Sequence, residues 1–179
     1  VKVLNDLSGP AYFYDADLFS VLALRLLNLT LAHGNSPISA YAYGLYGMIA
    51  GSVLGNYEQG QKFGELSLRV NRKYNNVDLK AKLGPIVGGL IHHWRNPVAG
   101  NYEILTTGYK EGRVAGDLLY TGYCAACLLY CMVTSGEPLD VVFRESHKYL
   151  EFLKRTKDMD AAQTFIVEQR MVLNLQGMT

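Results

Sequence analysis

The chain has 179 residues, of which 49% are apolar and 18% charged, with 17 Lys and Arg set against 16 Asp and Glu. This composition excludes a disordered chain and predicts a packed core. Near-neutrality excludes a global field that would draw the chain to nucleic acid or to an anionic membrane surface.

The three cysteines are an odd number and do not form the disulfide framework of a small secreted domain, which points to a reducing, cytoplasmic setting. The opening run Val1-Lys-Val-Leu-Asn-Asp6 has neither the apolar core of a signal peptide nor the Arg-rich pattern of a transit peptide. A piece of a longer protein is expected, forming one helical domain over 1–179.

The first predicted helix covers 12–33. Ser36-Pro37 opens the next, over 37–54. The stretch from Gly34 to Tyr57 is free of charge and long enough to cross a bilayer. Its glycines, Asn35, Ser36, Ser39, Asn56 and tyrosines lower its hydrophobicity, so a buried helix is expected and no membrane span. Gly44, Gly47 and Gly51 recur at i, i+3 and i+7, a stripe along which a neighbouring backbone can approach closely. Each interior helical glycine costs about 1 kcal/mol relative to alanine, so that packing must compensate.

After the break at Gly55-Asn56, the helix over 57–75 places Phe63, Leu66, Val70 and Tyr74 on one face. Glu58, Lys62, Glu65, Arg69 and Arg72 take the rest. Asp78 opens a helix over 78–95, which Pro85 is expected to kink or delay. It carries Gly88 at the same offset before its turn as Gly47. Asn96-Pro97 ends it, and 98–114 follows. Asp117 opens 117–135, almost free of charge; Gly136-Glu137-Pro138 breaks the chain before 138–156, and Asp158 opens 158–176. Nothing alternates with the period of a strand.

The starts at Ser36-Pro37, Asp78, Asp117 and Asp158 are spaced by about 40 residues, and the intervening breaks have the same period. The expectation is an all-α fold of about eight helices arranged as antiparallel helix-pair repeats, a tetratricopeptide-like superhelix. The charge-poor helices 37–54 and 117–135 should be central, with 57–75 and 138–156 outside them.

Candidate chemistry is sparse. Cys124, Cys127 and Cys131 lie within one predicted helix, whose rise from the first to the last is about 10 Å, too far for one tetrahedral zinc. They read as small buried thiols. His92 and His93 point about 100° apart, so they suit different neighbours; the plainer expectation is a histidine at a helix C-terminus with Trp94 filling the core between helix pairs. His147 reads as a surface residue. Gly44-x-x-Gly47-x-x-x-Gly51 lacks the Gly-Lys-Ser/Thr ending of a phosphate loop. Tyr120, Tyr123, Cys127 and Tyr130 form a stripe, and Tyr43 with Tyr46 a shorter one, suited to a core or to a groove. Tyr43, Tyr46, His92, His93, Tyr120 and Tyr123 are therefore the candidate groove residues. No catalytic constellation, metal site or cofactor is expected.

The turn Gly55-Asn56-Tyr57-Glu58-Gln59-Gly60 resembles the interhelical turn of tetratricopeptide repeats. The runs Leu31-Ala-His-Gly-Asn-Ser36, Ala40-Tyr-Ala-Tyr-Gly44, Phe63-Gly-Glu-Leu66, His93-Trp94 and Gly116-Asp117 resemble the helical region of very large bacterial and cyanobacterial signalling proteins. There such a region lies between a Ser/Thr-kinase and ATPase portion and a GAF and histidine-kinase portion. The resemblance implies a non-catalytic interaction or regulatory scaffold. Its partners would be proteins or peptides, flanking domains in cis among them, or another copy of the chain. The alternative is a small-molecule sensor with a cavity between helices.

Overall fold

Asp15 sets the first boundary. Its backbone is extended, with φ −156° and ψ 99°, and its Oδ1 accepts hydrogen bonds from the backbone N–H groups of Asp17 and Leu18 at 3.1 and 2.9 Å. A carboxylate so placed satisfies the orphan donors of a helix start. In the computed structural model, which describes residues 2–156 and 159–178, α1 (Lys2–Tyr14) and α2 (Ala16–His33) therefore meet at one residue. The single helix expected over 12–33 is corrected to two.

The chain continues through α3 (Ser39–Met48), a π turn at Ile49–Val53, α4 (Tyr57–Tyr74), α5 (Val77–Leu83) and a second π turn at Gly84–Gly89. Short 3₁₀ turns at His92–Trp94 and Val98–Gly100 lead into α6 (Asn101–Ala115), α7 (Leu118–Thr134), α8 (Leu139–Arg155) and α9 (Met159–Leu175). The fold is all-α, with no strand among the described residues. The expected helix 78–95 is corrected: α5 ends at Leu83, and Pro85, which cannot donate to the helical ladder, stands in the π turn that follows. Asn56 and Asp117 cap α4 and α7 by accepting from Gln59 N and Tyr120 N. The helix start expected at Asp158 lies outside the described residues.

Consecutive helices pack on one another, and α3, α5, α7 and α9 also touch in that order. The stretch Ser39–Leu45 is wholly buried, as are Gly47 and Met48. In α4 only Gly60, Gly64, Ser67, Val70 and Asn71 are buried.

The α3–α4 contact explains the glycine stripe. A Cβ on Gly47 would stand 2.9 Å from Gly60 O and 3.1 Å from Gly64 N, and one on Gly60 would stand 3.1 Å from the Gly51 backbone. Ser67 Oγ completes this small-residue seam by donating to Ala40 O at 2.6 Å. A comparable seam joins the second π turn to α6 and α7. There Cys124 Sγ sits in a notch left by Gly84 and Gly108, 2.6 and 2.8 Å from where their Cβ atoms would be.

Two large apolar clusters result. One runs from Ala11 to Ile91 and is built by α1–α5 and the following turns. The other, around Phe165, Val142 and Leu153, is built by α7, α8 and α9. Leu105, Leu128 and Cys131 form a smaller cluster where α6 meets α7.

Candidate functional site

The residues facing inward between α1, α3, the second π turn and α7 do not close on one another, and they leave a cavity of about 270 Å³. On α3 the spacing i, i+4, i+7 brings Tyr41, Leu45 and Met48 to its wall. From α7 come Tyr120, Tyr123, Ala126 and Cys127; Pro85 and Ile86 come from the π turn, and Gly9 and Phe13 from α1. No side chain charged at neutral pH lines it.

Lys82 Nζ lies 5.9 and 5.4 Å from the ring centroids of Tyr41 and Tyr120. Burial raises the pKa of both phenols, so both stay neutral. The Tyr120 hydroxyl lies 3.5 Å from where a Cβ on Gly9 would be. Phe13 packs on Tyr123 with ring centroids 6.3 Å apart.

A second, more open cleft of about 440 Å³ lies on the other side of Ala126 and Cys127. Gly88 and Gly89, His93, Asn101, Tyr130, Cys131 and Glu168 line it. Burial lifts the Glu168 carboxyl to about 7, and its Oε2 has no hydrogen-bond partner among the described residues. Burial first, and then the neighbouring His92, lower the His93 pKa. Burial pushes the Cys127 thiol up to about 11, with the Glu168 carboxylate adding to the shift. A thiol held that high is a poor nucleophile near neutral pH.

The six candidate groove residues are thus divided among three places. Tyr120 and Tyr123 line the apolar cavity and His93 lines the second cleft. Tyr43 and Tyr46 face α4 instead, their rings 5.9 and 4.5 Å from Phe63, with the Tyr43 hydroxyl donating to Asn35 Oδ1 at 2.7 Å. His92 Nδ1 donates to Asn101 Oδ1 at 2.6 Å. One groove holding all six is therefore corrected: positions 43 and 46 lie across α3 from the wall made by 41, 45 and 48.

Trp94 corrects a second expectation. It is 46% exposed rather than buried between helix pairs, stacks on Tyr57 at 4.7 Å and donates from Nε1 to Leu90 O. The cysteines occupy separate settings: Cys124 in its glycine notch, Cys127 between the two cavities, and Cys131 donating to Val98 O. His147 is exposed, with Nδ1 donating to Phe143 O.

The charge-free stretch 34–57, expected as a buried helix, folds largely as buried α3 and its π turn. Among the described residues, α2 is long and apolar enough to cross a membrane, and a third of it is buried here.

No family model matches the chain. Over 179 residues, 99% of its length, it is 23% identical to the hybrid signal transduction histidine kinase G of Dictyostelium discoideum. It spans about 5% of that relative's length. The similarity supports reading the chain as a section of a signalling protein.

Proposed function

We propose that the chain is a non-catalytic regulatory section of a multidomain signalling protein, acting as a scaffold through helix-on-helix contact with flanking parts of the same polypeptide. The observation that carries this is a pair of uncovered, largely apolar faces, one on α2 and one on α9. On α2, Leu18, Val21, Leu24 and Leu31 are 41–63% exposed on one side, interrupted by the exposed Arg25 and Asn28. On and just beyond α9, Val167, Met171, Leu175 and Met178 are 41–68% exposed and follow i, i+4, i+8 and i+11. A helix face that meets only water is ordinarily polar.

The ordered contacts of α3, α5, α7 and α9, with α4, α6 and α8 packed between them along the chain, support the tetratricopeptide-like repeat reading. In this reading the section holds no cofactor, contacts no nucleic acid, does not span a membrane and works in the cytoplasm, where its thiols stay reduced.

The test uses flanking segments of the longer polypeptide supplied in trans. They should bind the wild-type chain, and the variant Leu18→Lys, Val21→Glu, Val167→Lys, Met171→Glu should lose at least tenfold in affinity while keeping its helical circular dichroism. Equal binding by both chains would sink the proposal.

A second reading, ligand sensing, is favoured by the apolar cavity and its wall of Tyr41, Tyr120 and Phe13.

A further inference from the structure

The cavity beneath α1 exists because the residues along two of its walls are small. Gly9 faces it from α1, and Ala126 faces it from α7. Larger residues supply the rest: Phe19, Leu45, Met48 and Ile86 present hydrocarbon, and Tyr41 and Tyr120 bring phenol rings. A site without charged side chains offers nothing to a phosphate, a carboxylate or an ammonium, whose desolvation would go uncompensated.

Its size is equally selective. An apolar cavity of about 150 Å³ stays dry and takes up benzene. The 270 Å³ found here, partly open to solvent, is large enough for a fused two-ring molecule.

We propose that this cavity is a binding site for a neutral, largely apolar molecule of one or two fused rings, with α1 as its lid. The proposal rests on the sensing reading. One hydrogen-bonding atom on the ligand matches Tyr41 and Tyr120, because each phenolic hydroxyl in the wall can donate or accept.

The lid follows from how α1 is held. It joins α2 through Asp15 alone and packs mainly on α2. Across the cavity it meets α7 where Gly9 approaches the Tyr120 hydroxyl and Phe13 packs on Tyr123. A molecule filling the space would touch α1 and α7 together and hold α1 down.

Indole is the probe, titrated into the methyl-labelled 179-residue chain and followed by NMR. Saturable shifts are expected at Met48 and Ile86, with cross-peaks from indole protons to both, and slower amide exchange along α1. Ala126→Phe should weaken binding at least tenfold by occupying the space. Gly9→Leu should do the same from the opposite wall, since its Cβ has ordinary room, and it serves if Ala126→Phe fails to fold. Arg144→Gln, at an exposed position on α8, should bind indole as wild type does.

No saturable shift, or cross-peaks to Val21 and Met171 instead, would overturn the site and reduce the observation to adsorption on exposed apolar faces. Binding at Met48 and Ile86 with unchanged exchange in α1 would uphold the site and overturn the lid. A Tm rise with a polar metabolite but none with indole would overturn this site and leave sensing intact.

Discussion

A methyl group at Gly47 and one at Gly51 would meet opposite fates although the two positions are one helical turn apart. At Gly47 it would press on backbone atoms of α4 at 2.9 and 3.1 Å, which cannot step aside without separating the helices. At Gly51 the nearest atoms are 4.0 Å away, on Trp94 and Tyr57. Gly47→Ala should therefore destabilise by about 1–3 kcal/mol through overpacking. Gly51→Ala should stabilise by about 0.5–1 kcal/mol by reducing unfolded-state entropy. Chemical denaturation of both variants checks the sign. The i, i+3, i+7 glycine spacing made the seam on α3 visible in the sequence, but not its partners. On α4, pattern reading selects Phe63, Leu66 and Tyr74, whereas the close contact is made by Gly60, Gly64 and Ser67, which carry little hydrophobic signal.

Glu168 makes a pH-dependent prediction at the same scale. Its folded value of about 7 lies above the ordinary 4.5, so the folded state holds this proton more tightly than the unfolded chain does. Its contribution is complete below about 4.5 and is lost as pH rises through about 7. Glu168→Gln should be more stable than wild type at pH 8, by on the order of 1 kcal/mol after discounting for partial exposure. The two should be equal at pH 4. Urea unfolding at both values decides; an equal difference at both would show that ionisation is not the cause.

Among the elements, the α1–α2 junction depends most on a single side chain. Asp15→Ala removes the acceptor of two backbone N–H groups and should cost about 1 kcal/mol. Hydrogen exchange should quicken at Asp17 and Leu18, and Asp15→Asn should restore most of the protection. The junction was obscure in the sequence because Asp15 interrupts an apolar stretch with no glycine beside it, while Gly9-Pro10, a stronger turn signal, lies inside α1. The later boundaries at Asn56 and Asp117 were readable because a capping residue opens each helix. The π turns were not, since a π turn differs from an α turn by one hydrogen-bond register and leaves no distinct residue pattern. That matters for the site: Gly84–Gly89 supplies Pro85 and Ile86 to one cavity and Gly88 and Gly89 to the other. Position by position, the Tyr120–Tyr123 stripe was legible, while Tyr41, two residues before Tyr43, was hidden because every side of α3 is apolar.

At the scale of the whole molecule, the division of the core into two large clusters bears on how the chain unfolds. Helices that contact mainly their neighbours behave as a linear array, in which one end can open while the other stays folded. The α7–α9 cluster surrounds Phe165, whose side chain is fully buried, and it is joined to the rest largely through α6 and α7. Phe165→Ala removes the largest buried group of that end, at a cost of about 3–5 kcal/mol. Because the α1–α5 cluster contains none of these residues, the loss should stay local. In hydrogen exchange the variant should lose protection in α8 and α9, with α3 and α4 exchanging as in wild type. If α3 and α4 lost protection in step with α8 and α9, the chain would be one cooperative unit, and a signal entering at α1 would then be felt at α9 without any intermediate helix acting as a relay.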